Sequence, residues 1–390
     1  MRAHRQNDGS KVRKGAARGF AKVMKTFHCN SCNQQVFFEN VLCERCGHML
    51  GYVYDLDDVT AFEPDDNGFW RSLDARSNGR SYKQCQNYIA EHVCNRMIPT
   101  DDPESLCKSC RLTLTIPTLS SDENREYWYK LERAKRRLLY TLTHLDLPIE
   151  SREENPETGL AFEFLENQLG EPPVHTGHSD GLITLNIAEA DDGYREKTRT
   201  RLHEPYRTLL GHFRHEIGHY YFMRLMQEGP LMDECRAIFG DERVDYGEEI
   251  KRHYQEGPPA NWESSYISAY ATMHPFEDWA ETWAHYMHMV DTLETASACG
   301  LMLAPSNPSE PSLQVEPVDI VTRSFSEMIE RWFPLTYVLN SLNRSMGTPD
   351  GYPFALAPPV IDKLRFIHKV IRTQGNVPAS TPNSPALQRT

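Results

Sequence analysis

The chain has 390 residues, an ordinary density of charge, and a formal net charge of −13. That length supports one large or two moderate domains with a real core. The acidic balance disfavours nonspecific binding to nucleic acid or an anionic membrane. No apolar run approaches the roughly 18 residues of a membrane span, and the N-terminus lacks the apolar stretch of a secretory signal.

Residues 1–23 carry Arg2, Arg5, Lys11, Arg13, Lys14, Arg18 and Lys22 against one acid, Asp8, with almost nothing to bury. They read as a disordered basic extension. A nucleic-acid arm, a transit peptide, or a true start at Met24 are the alternatives. Eight of the ten cysteines then fall in the first 110 residues. Cys29-x-x-Cys32 and Cys43-x-x-Cys46 are ten residues apart, with Val36, Phe37 and Phe38 reading as a strand between them and Gly47 after the second pair. Two such knuckles around a hairpin make a zinc ribbon. Gly51 to Leu73, a mix of aromatics and acids, is expected to pack around it. Cys85, Cys94 and Cys107-x-x-Cys110 form a second set with one irregular half: either another four-cysteine zinc site or four buried, reduced thiols. Both sets read as structural, because four thiolates close the coordination sphere. Paired i,i+3 cysteines are metal-ligand spacing rather than a disulfide framework, which predicts a reducing, cytoplasmic setting.

Residues 111–123 read as a linker, and Asn124 to Leu145 as a helix through Tyr127, Leu131, Ala134, Leu138, Leu139 and Leu142. Phe162, Phe164 and Leu165 begin a strand. Gly181 to Ala188 is the clearest strand, with Ile183, Leu185 and Ile187 on one face. A helix beginning near His203 or Glu204-Pro205 follows. Further helices are predicted over Glu234–Tyr254 with a break near Gly240-Asp241, over Pro275–Met289, Val318–Leu342 and Ile361–Arg372. Residues 303–316 read as a surface loop and the tail from Thr373 as disordered. The fold class is α+β. A cysteine-rich zinc-ribbon region with two four-cysteine sets (24–115) precedes a mainly helical domain with a small sheet (116–375) and a disordered tail (376–390).

The chemistry centres on His215-Glu216-Ile217-Gly218-His219 within the stretch Gly211 to Met226. Residues four apart on a helix lie nearly above one another, so His215 and His219 can hold one metal ion. Glu216 is turned by roughly 100°. It sits beside the metal without ligating it, as suits a base acting on metal-bound water. Gly218 costs about 1 kcal/mol in a helix, tolerable if packing needs a small residue there. The other reading is a pair of satisfied core histidines. A catalytic zinc needs a third protein ligand and an open position. The H-E-x-x-H-x-x-G-x-x-H extension is absent, since Phe222 and Leu225 stand where Gly and His would be needed. The candidate segment is Tyr270 to Glu281. Pro275 opens a helix there, and Glu277 and Glu281 are one turn apart among Phe276, Trp279, Ala280, Trp283 and Tyr286. Two acids facing a core are costly unless they meet a cation or donors; the alternative is a solvated acidic face.

Glu277-x-x-x-Glu281 with Tyr270 seven residues upstream resembles the second metal-binding segment of gluzincin peptidases. It is most similar to those related to anthrax lethal factor and the Mlc titration factor. His215–Tyr221, Ile267–Ala271 and His274–Glu281 make the whole chain similar to a bacterial family of zinc-binding metallopeptidases with an N-terminal zinc ribbon, over roughly residues 25 to 375. The resemblance implies a zincin-like domain with His215, His219 and Glu277 as zinc ligands. Glu216 would be the proton acceptor and donor, and Tyr270 the hydrogen-bond donor to the oxyanion. Glu281 would orient an imidazole or Glu277, with Asp278, its neighbour in the same helix, as the rival for that role. It also implies that strand 181–188 walls the cleft and pairs with an extended peptide along its edge. His274 reads as a structural residue before a helix, with a place near the cleft as the alternative. His212, His175 and His178 read as structural.

The expected activity is therefore zinc-dependent peptide hydrolysis, with one catalytic zinc and one or two structural ones. Its partners would be a peptide or protein substrate and a possible protein partner through the ribbons; no membrane is expected and nucleic acid is disfavoured. The competing function is a ribbon that binds protein or nucleic acid, fused to a zincin-like domain that does not cleave. A third is a peptidase acting on one partner recruited by the ribbons.

Overall fold

The computed structural model describes residues 26–374 except 169, 202–203, 205–206, 228 and 315–323. The basic extension at 1–23, the start at Met24, the tail at 376–390 and the helix start at Val318 lie outside the described residues.

The first cysteine set is built on β1 (Phe27–His28) and β2 (Gln35–Val36), a two-strand hairpin. Each knuckle closes through a residue in the left-handed region, Asn33 (φ 58°) and Gly47 (φ 74°), whose amides return to Cys29 and Cys43 carbonyls at 2.8 Å. The predicted strand residue Phe38 is buried but lies beyond β2, and Phe37 is exposed.

Gly51 to Leu73 does more than wrap this module. It supplies most of β3 (Met49–Val53), together with β4 (Asp58–Pro64) and β5 (Trp70–Ser72), which continue into β6 (Ser81–Gln84) and β7 (Arg96–Pro99). Parallel pairing of β7 with β3 closes the five strands into a barrel. Short helices α1 (Gln86–Ile89) and α2 (Lys108–Arg111) begin just after Cys85 and Cys107 and bring the second cysteine set together at the barrel's end.

The predicted linker is partly a strand. β8 (Thr113–Thr115) forms one edge of a four-stranded sheet, because Thr113 and Thr115 pair in parallel with β9 (Ala161–Leu165). Helix α3 (Asp122–His144) joins the two halves of the molecule. One side puts Tyr140 against Phe38 (5.2 Å between ring centres) and Tyr52 (6.3 Å), and His144 Nε2 at 3.1 Å from Asp57. The other side buries Trp128, Leu131, Leu138 and Leu142 in the main core.

The sheet order is β10 (Gly177–Ser179), β11 (Leu182–Asn186), β9, β8. Ile183 and Leu185 are fully buried as predicted, but Ile187 has already entered a 3-10 turn, so the strand is shorter than 181–188. β11 is also not an edge: it pairs with β9 on one side and β10 on the other. β10 and β11 are joined by Asp180 (φ 46°) and Gly181 (φ 84°), a two-residue turn of the type that Asp-Gly favours.

After α4 (Asp192–Arg201), the H-E-x-x-H helix is α5 (Leu209–Leu225). It starts later than Glu204 because Thr208 caps it, its hydroxyl accepting from the Gly211 amide at 3.0 Å. Then come α6 (Met232–Phe239), α7 (Tyr246–Glu256), α8 (Pro275–Ala298), α9 (Phe325–Ser345) and α10 (Pro358–Gln374). Helix α8 runs well past the predicted Met289 end, burying Val290 and Leu293.

Helices α5 and α8 cross at Gly218. A Cβ there would lie 3.1 Å from Ala280 Cα and 3.1 Å from Trp283 Cβ, and the Gly218 carbonyl accepts the Trp279 indole N–H at 2.9 Å. The glycine is thus the small residue that packing requires. Gly218→Leu is expected to lower the unfolding free energy by about 1–3 kcal/mol through overpacking, read from urea denaturation; a variant as stable as wild type would show that the crossing can yield. None of the described helices is long and apolar enough to cross a membrane.

Candidate active site

The crossing of α5 and α8 aims side chains of both helices into one cleft of about 490 Å³, within the usual range of ligand-binding clefts. From α5 come His215, Glu216 and His219; from α8 comes Glu277. His215 Nε2 lies 3.1 Å from His219 Nε2 and 2.9 Å from Glu277 Oε2, and His219 Nε2 lies 3.5 Å from the same oxygen. Three donor atoms therefore converge on one point.

Pro275 at the first helical position and His274 as the N-cap fix the start of α8, with the His274 Nδ1 accepting from the Phe276 amide at 3.0 Å. Its Nε2 donates to the Val244 carbonyl at 3.1 Å. Both places read from the sequence for His274 therefore hold, since it caps the helix and also lines the cleft.

Glu281 lies behind His215. Its Oε1 accepts from His215 Nδ1 at 2.7 Å, and its Oε2 accepts from the Ser268 hydroxyl at 2.5 Å. Asp278 points elsewhere: its Oδ2 meets Lys363 Nζ of α10 at 2.6 Å, and burial pushes its carboxyl up to about 7. Of the two rivals, Glu281 holds the imidazole and Asp278 does not reach it. The solvated-face alternative fails for this pair, since Glu277 is 2% exposed and the half-buried Glu281 is bonded through both oxygens to His215 and Ser268.

The donor set fits a metal cation. With Nδ1 of His215 committed to Glu281, its Nε2 faces the same point as His219 Nε2 and a carboxylate oxygen. Burial alone would lower the His215 pKa, yet Glu277 and Glu281 hold it well above the ordinary histidine value. Burial would raise Glu277, yet His219 and His215 hold it well below the usual carboxylate range. A pair of satisfied core histidines would have its buried ring nitrogens hydrogen-bonded. Oε2 of Glu216 and Nδ1 of His219 are buried without a hydrogen-bond partner among the described residues. Burial pushes the Glu216 carboxyl up, against the pull of His215 and His219.

Tyr270 faces the cluster from the turn before α8, its ring centre 5.8 Å from that of His215. Among the cleft-lining residues that sequence reasoning did not assign to it, two stand close to the cluster. His178, read as structural, stands on β10 with its ring stacked 6.4 Å from that of His219; burial pushes its pKa down to about 4. Tyr246, at the start of α7, donates its hydroxyl to Glu277 Oε1 at 2.9 Å. The wall predicted from strand 181–188 is thus supplied by β10, the terminal strand of the sheet, with Gly177 and His178 and the preceding Thr176 on the cleft. His212 lies behind the site near Glu189 (3.4 Å), as expected of a structural residue.

The two cysteine sets also close into metal-sized clusters. Cys29, Cys32, Cys43 and Cys46 present four sulfurs, with Cys29–Cys46 and Cys32–Cys43 each 3.6 Å apart. Cys85, Cys94, Cys107 and Cys110 do the same, all buried, with Cys94 and Cys107 sulfurs at 3.8 Å. Backbone amides of Arg96 and Cys107 donate to Cys94 and Cys85 at 3.4 Å, a contact that favours thiolate. These separations are well beyond a disulfide bond.

A family model described as "Putative zinc-binding metallo-peptidase" matches residues 124–370, and a zinc-ribbon domain model matches residues 26–121. Proteins of Mycobacterium bovis and Mycobacterium tuberculosis, each named only as an uncharacterized protein, are 42% identical over 350 residues, which is 89% of this chain and 95% of each relative. No solved structure matches the chain at a significant level. The helix pair that carries the two histidines and Glu277 falls wholly within the first of these matches, and on that match the chain belongs to this zinc-binding metallopeptidase family, with a zinc-ribbon region ahead of it.

Proposed function

We propose that the protein is a zinc-dependent metallopeptidase of the gluzincin type, hydrolysing peptide bonds in the cleft between β10 and the α5–α8 crossing. The observation that carries this reading is the convergence of two imidazoles and one carboxylate within 3.5 Å, beside a Glu216 oxygen with no partner among the described residues and facing Tyr270. His215, His219 and Glu277 would hold the catalytic zinc, and the two four-cysteine sets one structural zinc each. Zinc bound by this donor set supplies Lewis-acid polarisation of the scissile carbonyl and acidifies water.

The rest is done by the chain. Glu216 accepts a proton from the attacking water and passes it to the leaving amine. Its buried, raised carboxyl suits both transfers. Tyr270 donates a hydrogen bond to the oxyanion of the tetrahedral intermediate. Glu281, itself held by Ser268, orients His215 through Nδ1. The outer edge of β10 offers backbone groups to an extended peptide, which gives affinity with little sequence choice. Cysteines gathered as metal sets support a reducing, cytoplasmic setting.

The test is a mixed peptide library incubated with zinc-loaded protein and read by mass spectrometry. New amino termini that vanish on chelation are expected; an intact library would remove the reading. Tyr270→Phe should lower kcat by about 10²–10³-fold with KM little changed, and leave the zinc content as in wild type. Unchanged kcat would assign the oxyanion contact to another group.

A further inference from the structure

We infer that Tyr246 is a positioning residue for Glu277 and sets the zinc affinity of the His215–His219–Glu277 site. The inference rests on the reading of that cluster as a metal site. The Glu277 carboxylate divides its two oxygens. Oε2 faces the imidazoles at 2.9 and 3.5 Å, while Oε1 accepts the Tyr246 hydroxyl at 2.9 Å. A carboxylate turning freely about its last bond can offer either oxygen. A phenol bonded to one of them removes that freedom and leaves the other aimed at the metal. Glu281 does the corresponding work for His215, so two of the three ligands have a hydrogen-bond partner outside the cluster. Such partners typically matter 10–100-fold in metal affinity.

Tyr246 is itself well placed for the task. Its ring packs edge-on against His274 with centres 5.1 Å apart. That imidazole caps α8 at one nitrogen and ties the Val244 carbonyl with the other. Asp245 caps α7 by accepting from the Glu248 amide at 3.0 Å. The first residue of α7 is thereby fixed against the first turn of α8, where Glu277 sits. Tyr246 is 41% exposed, so its removal leaves no cavity in the core and the phenol is free to be judged on its hydroxyl.

The experiment measures zinc affinity at this site by chelator competition on the full chain, in wild type, Tyr246→Phe, Tyr246→Leu and His215→Ala/His219→Ala. Visible absorption of cobalt placed in the same site, with zinc kept in the cysteine sets, gives a second readout. Both Tyr246 variants should bind zinc about 10–100-fold more weakly, shift the cobalt bands, and keep wild-type zinc in the cysteine sets. Wild-type affinity and an unshifted cobalt spectrum in Tyr246→Phe would overturn the inference, and so would a loss confined to Tyr246→Leu, which would mark a packing role. If the double histidine variant holds as much zinc as wild type, the metal-site reading falls and takes the inference with it. If that variant loses one zinc and Tyr246→Phe does not differ from wild type, only the inference falls.

Discussion

Glu216→Gln is expected to lose about 10²–10⁴-fold in kcat while keeping its zinc. Gln matches Glu in size and polarity and cannot take a proton, so the substitution isolates the acid–base step. Glu216 stands outside the converging donor set, and its Oε2 has no partner among the described residues, so no ligand loses its support. The site is 7% exposed at this residue, and the amide fits the same space. Zinc content should match wild type, and substrate should still bind. The check is kcat and KM on any peptide cut by the wild type, together with metal analysis. A variant with near wild-type kcat would mean that another group accepts the proton. Among the described residues the other carboxylates lining the cleft are already engaged: Glu277 by Tyr246, and Glu242 by Arg236 at 2.7 Å.

Cys107→Ser is expected to unfold the barrel rather than merely weaken it. All four cysteines of its set are at most 3% exposed. They share a cluster with Val53, Phe62, Tyr82, Tyr88, Met97 and Ile98, which line the barrel interior and its end. Zinc on four thiolates contributes an apparent ~10–16 kcal/mol to folding, as much as the whole net stability of a typical domain at about 5–15 kcal/mol. Three thiolates and a hydroxyl retain little of that. The expected result is one zinc lost, the barrel's melting transition abolished, and rapid tryptic cleavage within residues 49–111. Helix α3 carries the damage further, because Tyr140 and His144 pack on that region. Cys29→Ser should be milder, since two of its set, Cys32 and Cys46, are already partly exposed and the hairpin is small. A Cys107→Ser protein with wild-type melting and zinc would show that this set is four reduced, packed thiols.

Much of the site was readable because two local patterns carried it. The i,i+4 spacing of His215 and His219 puts both imidazoles on one face whatever the tertiary structure. Glu277 and Glu281 stood out because carboxylates one turn apart on an otherwise apolar helix must meet something. What stayed hidden depends on contacts between distant segments. Tyr246 belongs to no motif; it reaches Glu277 only because the segment from Gly240 to Tyr246 packs against the start of α8 at Pro275 and His274. Asp278 is an acid in the same buried helix, and it is the contacts that separate the two, Glu281 meeting His215 and Asp278 meeting Lys363 on α10. Strand β10 has three residues, too few for periodicity, although Asp180-Gly181 was a usable turn signal that identifies the hairpin and hence the true sheet edge. The same limit applies to the fold. The cysteine knuckles and the long helices follow from spacing, whereas closure of the barrel by parallel β3–β7 pairing, and β8 joining the sheet from what looked like a linker, are non-local events.

The most direct measurement is a zinc count on protein purified without added metal, for wild type and for His215→Ala/His219→Ala. Three donor clusters predict about three zinc ions per chain in the wild type and one fewer in the variant, with the cysteine sets intact. An unchanged count, with no further uptake when zinc is added back, would mean that the histidines of α5 hold no metal, and the peptidase reading would fall with them.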